Sequence, residues 1–104
     1  MRTVAETPIF QRYVADIWTD TERAEFINWI AVNSQAGDVI KGSGGCRKVR
    51  WAASGRGKRG GARVIYFNLS EETIWLLIVY TKSEFDNLPA SFLAELRKGV
   101  EDVL

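Results

Sequence analysis

Apolar residues that recur every three or four positions, together with helix-start signals, predict three helices along the chain. Pro8 suits the first turn of a helix, because a backbone N–H is not needed there. Thr19 followed by Glu22 has the spacing of a capping box and predicts the start of a second helix that ends near Asn33. Pro89 opens a C-terminal helix. The apolar residues at helical spacing are Phe10, Tyr13, Val14 and Ile17 in the first helix and Phe92, Leu93, Leu96, Val100 and Val103 in the last.

Elsewhere the apolar residues alternate or run together, which predicts strands. Residues 47–51 form a short strand with Val49 facing the core and basic residues on the other face. Residues 62–69 form the strand that returns beside it. The almost wholly apolar run TIWLLIVY, residues 73–80, is typical of a central strand covered on both sides. Residues 2–6 can form a further short strand at the N-terminus.

These elements predict one α+β domain. Two N-terminal helices precede an antiparallel β-sheet of meander type, and a C-terminal helix closes the chain. Gly37 marks the end of the second helix, and residues 38–45 are predicted to be a turning connection. The sequence contains no internal repeat and no linker, so residues 1–104 are interpreted as a single domain.

The amino-acid inventory excludes several classes of function. Cys46 is the one cysteine and there is no histidine, which removes a disulfide within the chain and the commonest metal ligands. We expect no metal and no cofactor. No apolar run reaches the length of about 18 residues that a membrane span needs, and the N-terminus lacks the apolar region of a signal peptide. We therefore expect a cytoplasmic protein with no membrane partner.

The charge of the chain is distributed unevenly. The formal net charge is only +1, yet residues 39–70 hold eight basic residues and no acidic one. The segments on either side are acidic overall. Such a local positive field favours binding to the phosphate backbone of a nucleic acid, although a solvated basic hairpin is the alternative. The eight residues are Lys41, Arg47, Lys48, Arg50, Arg56, Lys58, Arg59 and Arg63.

The basic segment divides into a strand part and a loop part. Alternation sends Lys48 and Arg50 to one face, about 7 Å apart, and Arg63 can join them from the returning strand. Cations held this close repel one another, and an anion between them relieves the repulsion. The loop part interleaves Arg56, Lys58 and Arg59 with glycines, in a pattern that does not match a P-loop. It is interpreted as a mobile cationic arm.

Aromatic residues lie among the basic residues of this segment and have two possible roles. Trp51, Tyr66 and Phe67 have the ring faces on which single-stranded bases stack. Core packing is the simpler role for each of them.

The motifs in this region resemble those of the RelE/HigB toxins of bacterial type II toxin–antitoxin modules. The resemblance rests on the run GDVIKGSGGCRKVRWAASGRGKRGGARVIYF, residues 37–67, and on LLIVYTKSEFDNL, residues 76–88. It is closest to the HigB-like branch, with its G-G-x-R-K-x-R core, its basic glycine loop and its G-x-R-x-I-Y strand. The order of predicted elements agrees with this family along the whole chain.

The resemblance implies a function and a reaction. Members of this family are small α+β proteins that enter the ribosomal A site and cut mRNA without a metal, using the 2′-hydroxyl of the substrate to attack the adjacent phosphate. It also implies a cognate antitoxin, HigA-like with a helix-turn-helix, and the ribosome and mRNA as partners. Such cleavage needs proton transfer and stabilisation of the charged transition state, both of which fixed cations can supply.

The resemblance also implies catalytic residues. Lys48 and Arg50 stand where RelE-type toxins hold two lysines of the sheet, and Arg63 stands at the arginine that stabilises the transition state. Lys82 occupies the cationic position after the last strand. Guanidinium is a poor base, so Arg50 is expected to orient or neutralise phosphate, which leaves Lys48 and Lys82 as candidates for the general base. A surface lysine that neutralises Glu84 or Asp86 is the alternative for Lys82.

The resemblance implies a second group of residues, which bind the RNA backbone with little base preference. The chain departs from RelE in having Ser83 and an apolar residue near Leu88 where RelE has an arginine and a tyrosine. This departure leaves open a toxin paralogue that acts mainly by binding a partner and is degenerate in catalysis. A non-catalytic RNA- or DNA-binding module that uses the same sheet is a further alternative. The predicted RNA-binding residues are Lys41, Arg47, Arg56, Lys58, Arg59 and Tyr66.

Overall fold

A mixed five-stranded sheet is the centre of the fold, with helices on both of its faces. The computed structural model describes residues 2–52, 61–85 and 87–102. The observed order of elements agrees with the predicted order, with one additional two-residue strand after the second helix. The elements are β1 (Thr3–Glu6), α1 (Pro8–Val14), α2 (Asp20–Val32), β2 (Asp38–Val39), β3 (Arg47–Trp51), β4 (Ala62–Asn68), β5 (Thr73–Tyr80) and α3 (Ala90–Asp102).

Side-chain caps fix the starts of the first two helices. The predicted capping box is confirmed: the Glu22 N–H donates to Thr19 Oγ1 at 3.2 Å, and the Thr19 N–H donates to Glu22 Oε1 at 2.8 Å. Thr7 caps α1, since its Oγ1 accepts from the Phe10 N–H at 3.0 Å. The same hydroxyl donates to the Leu77 carbonyl at 2.7 Å, which ties the start of α1 to β5.

The sheet has the strand order β1-β5-β4-β3-β2. The strands β2 to β5 form the predicted antiparallel meander. The first strand departs from the prediction of an antiparallel sheet, because β1 pairs in parallel with β5, Thr3 opposite Thr73. The other edge of β5 is occupied by β4, so β1 forms an edge strand of the sheet beside β5. A short strand pattern alone does not specify which neighbour it pairs with.

Two hydrophobic clusters lie on opposite faces of the sheet. On one face, Phe10 of α1 and Phe26 of α2 pack with Val64 of β4. On the other face, Leu93 of α3 packs with Ile78 of β5 and other residues of the second cluster. Residues of β5 belong to both clusters, which confirms the prediction of a central strand covered on both sides. Within the described ranges, no helix combines the length and apolar character that crossing a membrane requires.

Tyr66 is a structural residue of the core. Its side chain has 0% exposed surface. Its hydroxyl accepts from the Gly37 N–H at 2.9 Å and donates to the Ser34 carbonyl at 2.8 Å. This placement contradicts the prediction that Tyr66 binds RNA, because a fully buried ring presents no face to a base. Burial also raises the pKa of the phenol.

The loss of the Tyr66 hydroxyl should destabilise the protein. We expect Tyr66→Phe to lower the free energy of unfolding by about 1–3 kcal/mol, because the buried Gly37 N–H loses its acceptor, while the Ser34 carbonyl keeps the bond from Asn68 Nδ2 at 3.0 Å. Urea-induced unfolding measures the change. Tyr13→Phe, which removes a phenol hydroxyl from the half-buried ring of α1, is the matched control. Equal stability of Tyr66→Phe and the wild type would contradict this role.

Candidate nucleic-acid interface

Lys48, Arg50 and Arg63 lie on the same face of the sheet, and we call these three residues the basic face. Lys48 and Arg50 are two residues apart on β3 and therefore point to the same side. Arg63 on β4 is the direct cross-strand partner of Arg50, while Lys48 is paired with Ile65. The antiparallel register thus brings the three predicted cations together, as the alternation in the sequence predicts.

The basic face is the part of its side of the sheet that α3 leaves open. The helix covers the neighbouring part, where Cys46 Sγ lies 3.7 Å from the Leu93 carbonyl oxygen and the Arg97 guanidinium lies 4.5 Å from the centre of the Phe67 ring. Arg50 is exposed, and Lys48 and Arg63 are half-buried. The same strands therefore present a covered apolar surface beside an accessible cationic one.

The charges of the basic face are arranged to attract an anion. Directly opposed residues in an antiparallel pair have Cβ atoms about 4.5–5.5 Å apart, and like charges at such positions destabilise the sheet. Arg50 and Arg63 form such a pair. A phosphate between the two guanidinium groups replaces this repulsion with two attractions and accepts charge-assisted hydrogen bonds. The arrangement can therefore hold a phosphate of a nucleic-acid backbone.

Tyr80 borders the basic face on the β5 side and was missed by the sequence analysis. It is the cross-strand partner of Arg63 and only 1% exposed. Burial raises the pKa of its phenol, and the positive charge of Arg63 partly offsets that effect. The Tyr80 ring meets Phe85 edge to face with centroids 5.9 Å apart, and Phe85 meets Tyr13 in the same way at 6.0 Å. A neutral phenol on a packed aromatic support thus lies next to Arg63.

Asp38 borders the basic face on the β2 side and was also missed. It is the cross-strand partner of Lys48, and its side chain is exposed. A cavity of about 410 Å³ is lined by Asp38, Lys48 and Arg50 together with Ala36 and Val49. This carboxylate lies one residue before the segment 39–70, which holds the basic residues and no acidic one. The basic face therefore has an acidic neighbour.

Arg47 lies away from the basic face. Its guanidinium donates to the Gly37 carbonyl at 2.7 Å and to Gln35 Oε1 at 3.0 Å. These bonds hold the connection between α2 and β2, because alternation turns Arg47 to the side of the sheet opposite to Lys48. The prediction that Arg47 binds RNA does not fit this placement.

Two of the remaining predicted residues, Lys41 and Lys82, lie in connections. Lys41 is exposed in the turn that follows β2. Lys82 is exposed in the turn after β5, two residues beyond Tyr80. The Glu84 carboxylate accepts from the Thr81 N–H at 2.9 Å, so Glu84 caps that turn rather than serving only to neutralise a lysine. The predicted residues outside the described ranges are Arg56, Lys58 and Arg59.

Comparison with known proteins identifies the fold. No family model matches the chain. The structure is similar to that of an arginine-to-alanine double mutant of the E. coli toxin RelE in the free state, with a TM-score of 0.60 over 92% of this chain and 96% of that chain, at 14% sequence identity. The chain has a RelE-like fold. This finding agrees with the predicted α+β class. At 14% sequence identity, the similarity shows the fold alone.

The residues of the cavity and of the basic face can bind an anion and can transfer a proton. Arginines bind phosphate through planar forks of N–H donors, and a lysine donates from a compact ammonium group. No cluster of three or more His, Cys, Asp or Glu side chains suited to a metal ion is found in the part of the RelE-like fold that the structure describes.

Removing one arginine of the basic face should change the salt dependence of RNA binding. For Arg50→Ala we expect the slope of log K against log salt concentration for a single-stranded RNA to become shallower by about 0.7, the value of one phosphate contact. Filter binding across a salt series measures it. Lys98→Ala removes one exposed charge from α3 and should leave the slope unchanged. An unchanged slope in Arg50→Ala would show that this residue holds no phosphate.

Proposed function

We propose that the protein is the toxin of a type II toxin–antitoxin module and acts as an endoribonuclease on mRNA in the ribosome. The observation that carries the proposal is the accessible basic face of Lys48, Arg50 and Arg63 on a RelE-like fold. The family resemblance of residues 37–88 supports the same assignment. The proposed partners are the ribosome, mRNA and a HigA-like antitoxin, and the proposed location is the cytoplasm.

The proposed reaction is an attack of a ribose 2′-hydroxyl on the adjacent phosphate of the RNA. The 2′-oxygen forms a bond to phosphorus while the bond to the 5′-oxygen of the next nucleotide breaks, giving a cyclic phosphate and a 5′-hydroxyl. Negative charge develops on the non-bridging oxygens and on the leaving oxygen. In this scheme Arg63 and Arg50 stabilise the first of these charges. Lys48, a candidate for the general base on the sequence alone, is instead assigned in this scheme as the donor of a proton to the leaving oxygen, because an ammonium group ordinarily donates.

Lys82 has a supporting role in the proposal. It is exposed in the turn that follows Tyr80, the residue paired with Arg63. From there a lysine neutralises the phosphate next to the one being cut. Lys41 in the turn after β2, and the basic residues Arg56, Lys58 and Arg59 of the glycine-rich sequence, would bind the RNA backbone or ribosomal RNA.

A non-catalytic nucleic-acid-binding protein is the second candidate. Ser83 and the apolar residue near Leu88, at positions where RelE has an arginine and a tyrosine, are the observations that favour it. Both candidates bind RNA more weakly at higher salt, so salt dependence does not separate them. Mutations of the basic face separate the two candidates.

Expression of the protein should produce cuts in translated mRNA. After induction in a bacterial host, we expect growth arrest and new mRNA 5′ ends inside open reading frames, mapped by sequencing of 5′ termini. Cells in which a translation-initiation inhibitor has emptied the mRNA of ribosomes are the control and should show few new ends. The absence of both cuts and growth arrest would rule out the proposed reaction.

Mutation of the catalytic residues should separate cleavage from binding. We expect Lys48→Ala or Arg63→Ala to reduce cleavage about 100-fold or more and to abolish growth arrest, since proton transfer and charge stabilisation each contribute at least this factor. Ribosome affinity, measured by co-sedimentation, should change little. Lys98→Ala is the control for loss of a positive charge elsewhere. Parallel loss of binding and growth arrest would favour the non-catalytic candidate.

A further inference from the structure

The cavity beside β3 brings a carboxylate to the basic face. Asp38 and Lys48 are cross-strand partners in the β2–β3 pair, and both line the cavity of about 410 Å³ together with Arg50. Asp38 is exposed at the edge of the sheet, so solvent and a ligand have access to its oxygens. The cavity is therefore lined by one acidic and two basic residues, and its volume can receive part of a nucleotide.

The proposed cleavage requires a group that accepts the proton of the 2′-hydroxyl. The chain has no histidine. Lysine and arginine side chains carry their protons at neutral pH and are ordinarily donors, whereas carboxylates are ordinarily acceptors. Three cations alone thus supply charge stabilisation and a proton donor but no ready acceptor. A carboxylate next to them completes the pair of groups that acid–base catalysis needs.

We propose that Asp38 is the general base of the RNA cleavage, with Lys48 as the general acid. The inference rests on the proposed function and assigns a catalytic residue to it. The neighbouring Lys48 and Arg50 offset the repulsion between the Asp38 carboxylate and the RNA phosphate. Glu84, near the opposite edge of the basic face, is a weaker candidate because its carboxylate accepts from both the N–H and the hydroxyl of Thr81.

Every proton in the step has a donor and an acceptor. An oxygen of Asp38 takes the proton of the 2′-hydroxyl as the 2′-oxygen bonds to phosphorus. The bond between phosphorus and the 5′-oxygen breaks, and the Lys48 ammonium gives that oxygen a proton. Asp38 then releases its proton to water and Lys48 regains one from water. No metal, oxidant or further reactant is needed in this scheme.

The first test compares the cleavage rate and the binding of Asp38→Asn with those of the wild type. On purified ribosomes programmed with a defined mRNA, we expect the single-turnover rate at saturating protein to fall about 100-fold or more. The half-saturating concentration should stay equal or decrease, because a negative charge has been removed beside the RNA. Asp16→Asn makes the same chemical change at an exposed position after α1 and should leave both values unchanged.

A leaving-group test separates the two proton-transfer roles. A substrate with sulfur in place of the bridging 5′-oxygen has a leaving group that needs no proton. It should restore most of the rate of Lys48→Ala and little of the rate of Asp38→Asn. Asp38→Glu, which keeps the carboxylate, should retain more activity than Asp38→Asn. Should the Asn variant prove unstable in thermal unfolding, Asp38→Ser provides the same comparison.

The outcomes distinguish this inference from the proposed function. A wild-type protein that cuts no RNA on the ribosome overturns the proposed function itself. A wild type that cuts, together with Asp38→Asn or Asp38→Ser variants that cut within twofold of its rate, overturns the role of Asp38 alone. Rescue of Asp38→Asn by the sulfur substrate would reassign Asp38 to the leaving-group side and also overturn the proposal.

Discussion

The register between β3 and β4 is the constraint on which the basic face depends. Val49 is paired with Val64 on the side that faces α1 and α2, and this apolar pair belongs to the core on that side. The neighbouring pair, Arg50 with Arg63, must then point to the other side. A slip of one residue would carry cations into the core and valines into solvent, at a large cost in free energy. Burial of the valines therefore fixes the positions of the arginines.

A second set of contacts fixes the position of the cavity beside Lys48. The buried Tyr66 hydroxyl accepts a hydrogen bond from the Gly37 N–H, and the Arg47 guanidinium donates to the Gly37 carbonyl. A Cβ atom at Gly37 would lie 2.8 Å from Cε1 of Tyr66, so the chain passes this point only as glycine. Asp38 follows directly and enters β2 opposite Lys48. Two residues predicted to bind RNA, the buried Tyr66 and the half-buried Arg47, thus hold the segment that presents a carboxylate to the basic face.

Local sequence patterns predicted the helices and strands of this fold. The same patterns could not predict which strand β1 pairs with or which residue of β5 lies opposite Arg63. Proline, the capping box and the alternation around Val49 specify their elements through nearby residues, and the structure has each of them. The parallel partner of β1 depends on which sheet edge is free, which a single strand does not encode. In the same way, the apolar sequence of β5 does not indicate that Tyr80 is the cross-strand partner of Arg63. The β4–β5 register also shifts at Ile65 and Tyr66, so simple alternation from the turn would misplace that pair.

The opposed arginines link the stability of the sheet to its proposed use. Arg50 and Arg63 repel one another across β3 and β4 whenever no anion lies between them, and the flanking residues relieve this only in part. Tyr80 is neutral, and Asp38 is paired with Lys48 rather than with either arginine. The repulsion persists in the free protein because the core on the other side of the same strands fixes the register. A phosphate that enters the basic face removes this repulsion and binds to residues whose strands are already in register, so little ordering of the backbone opposes binding.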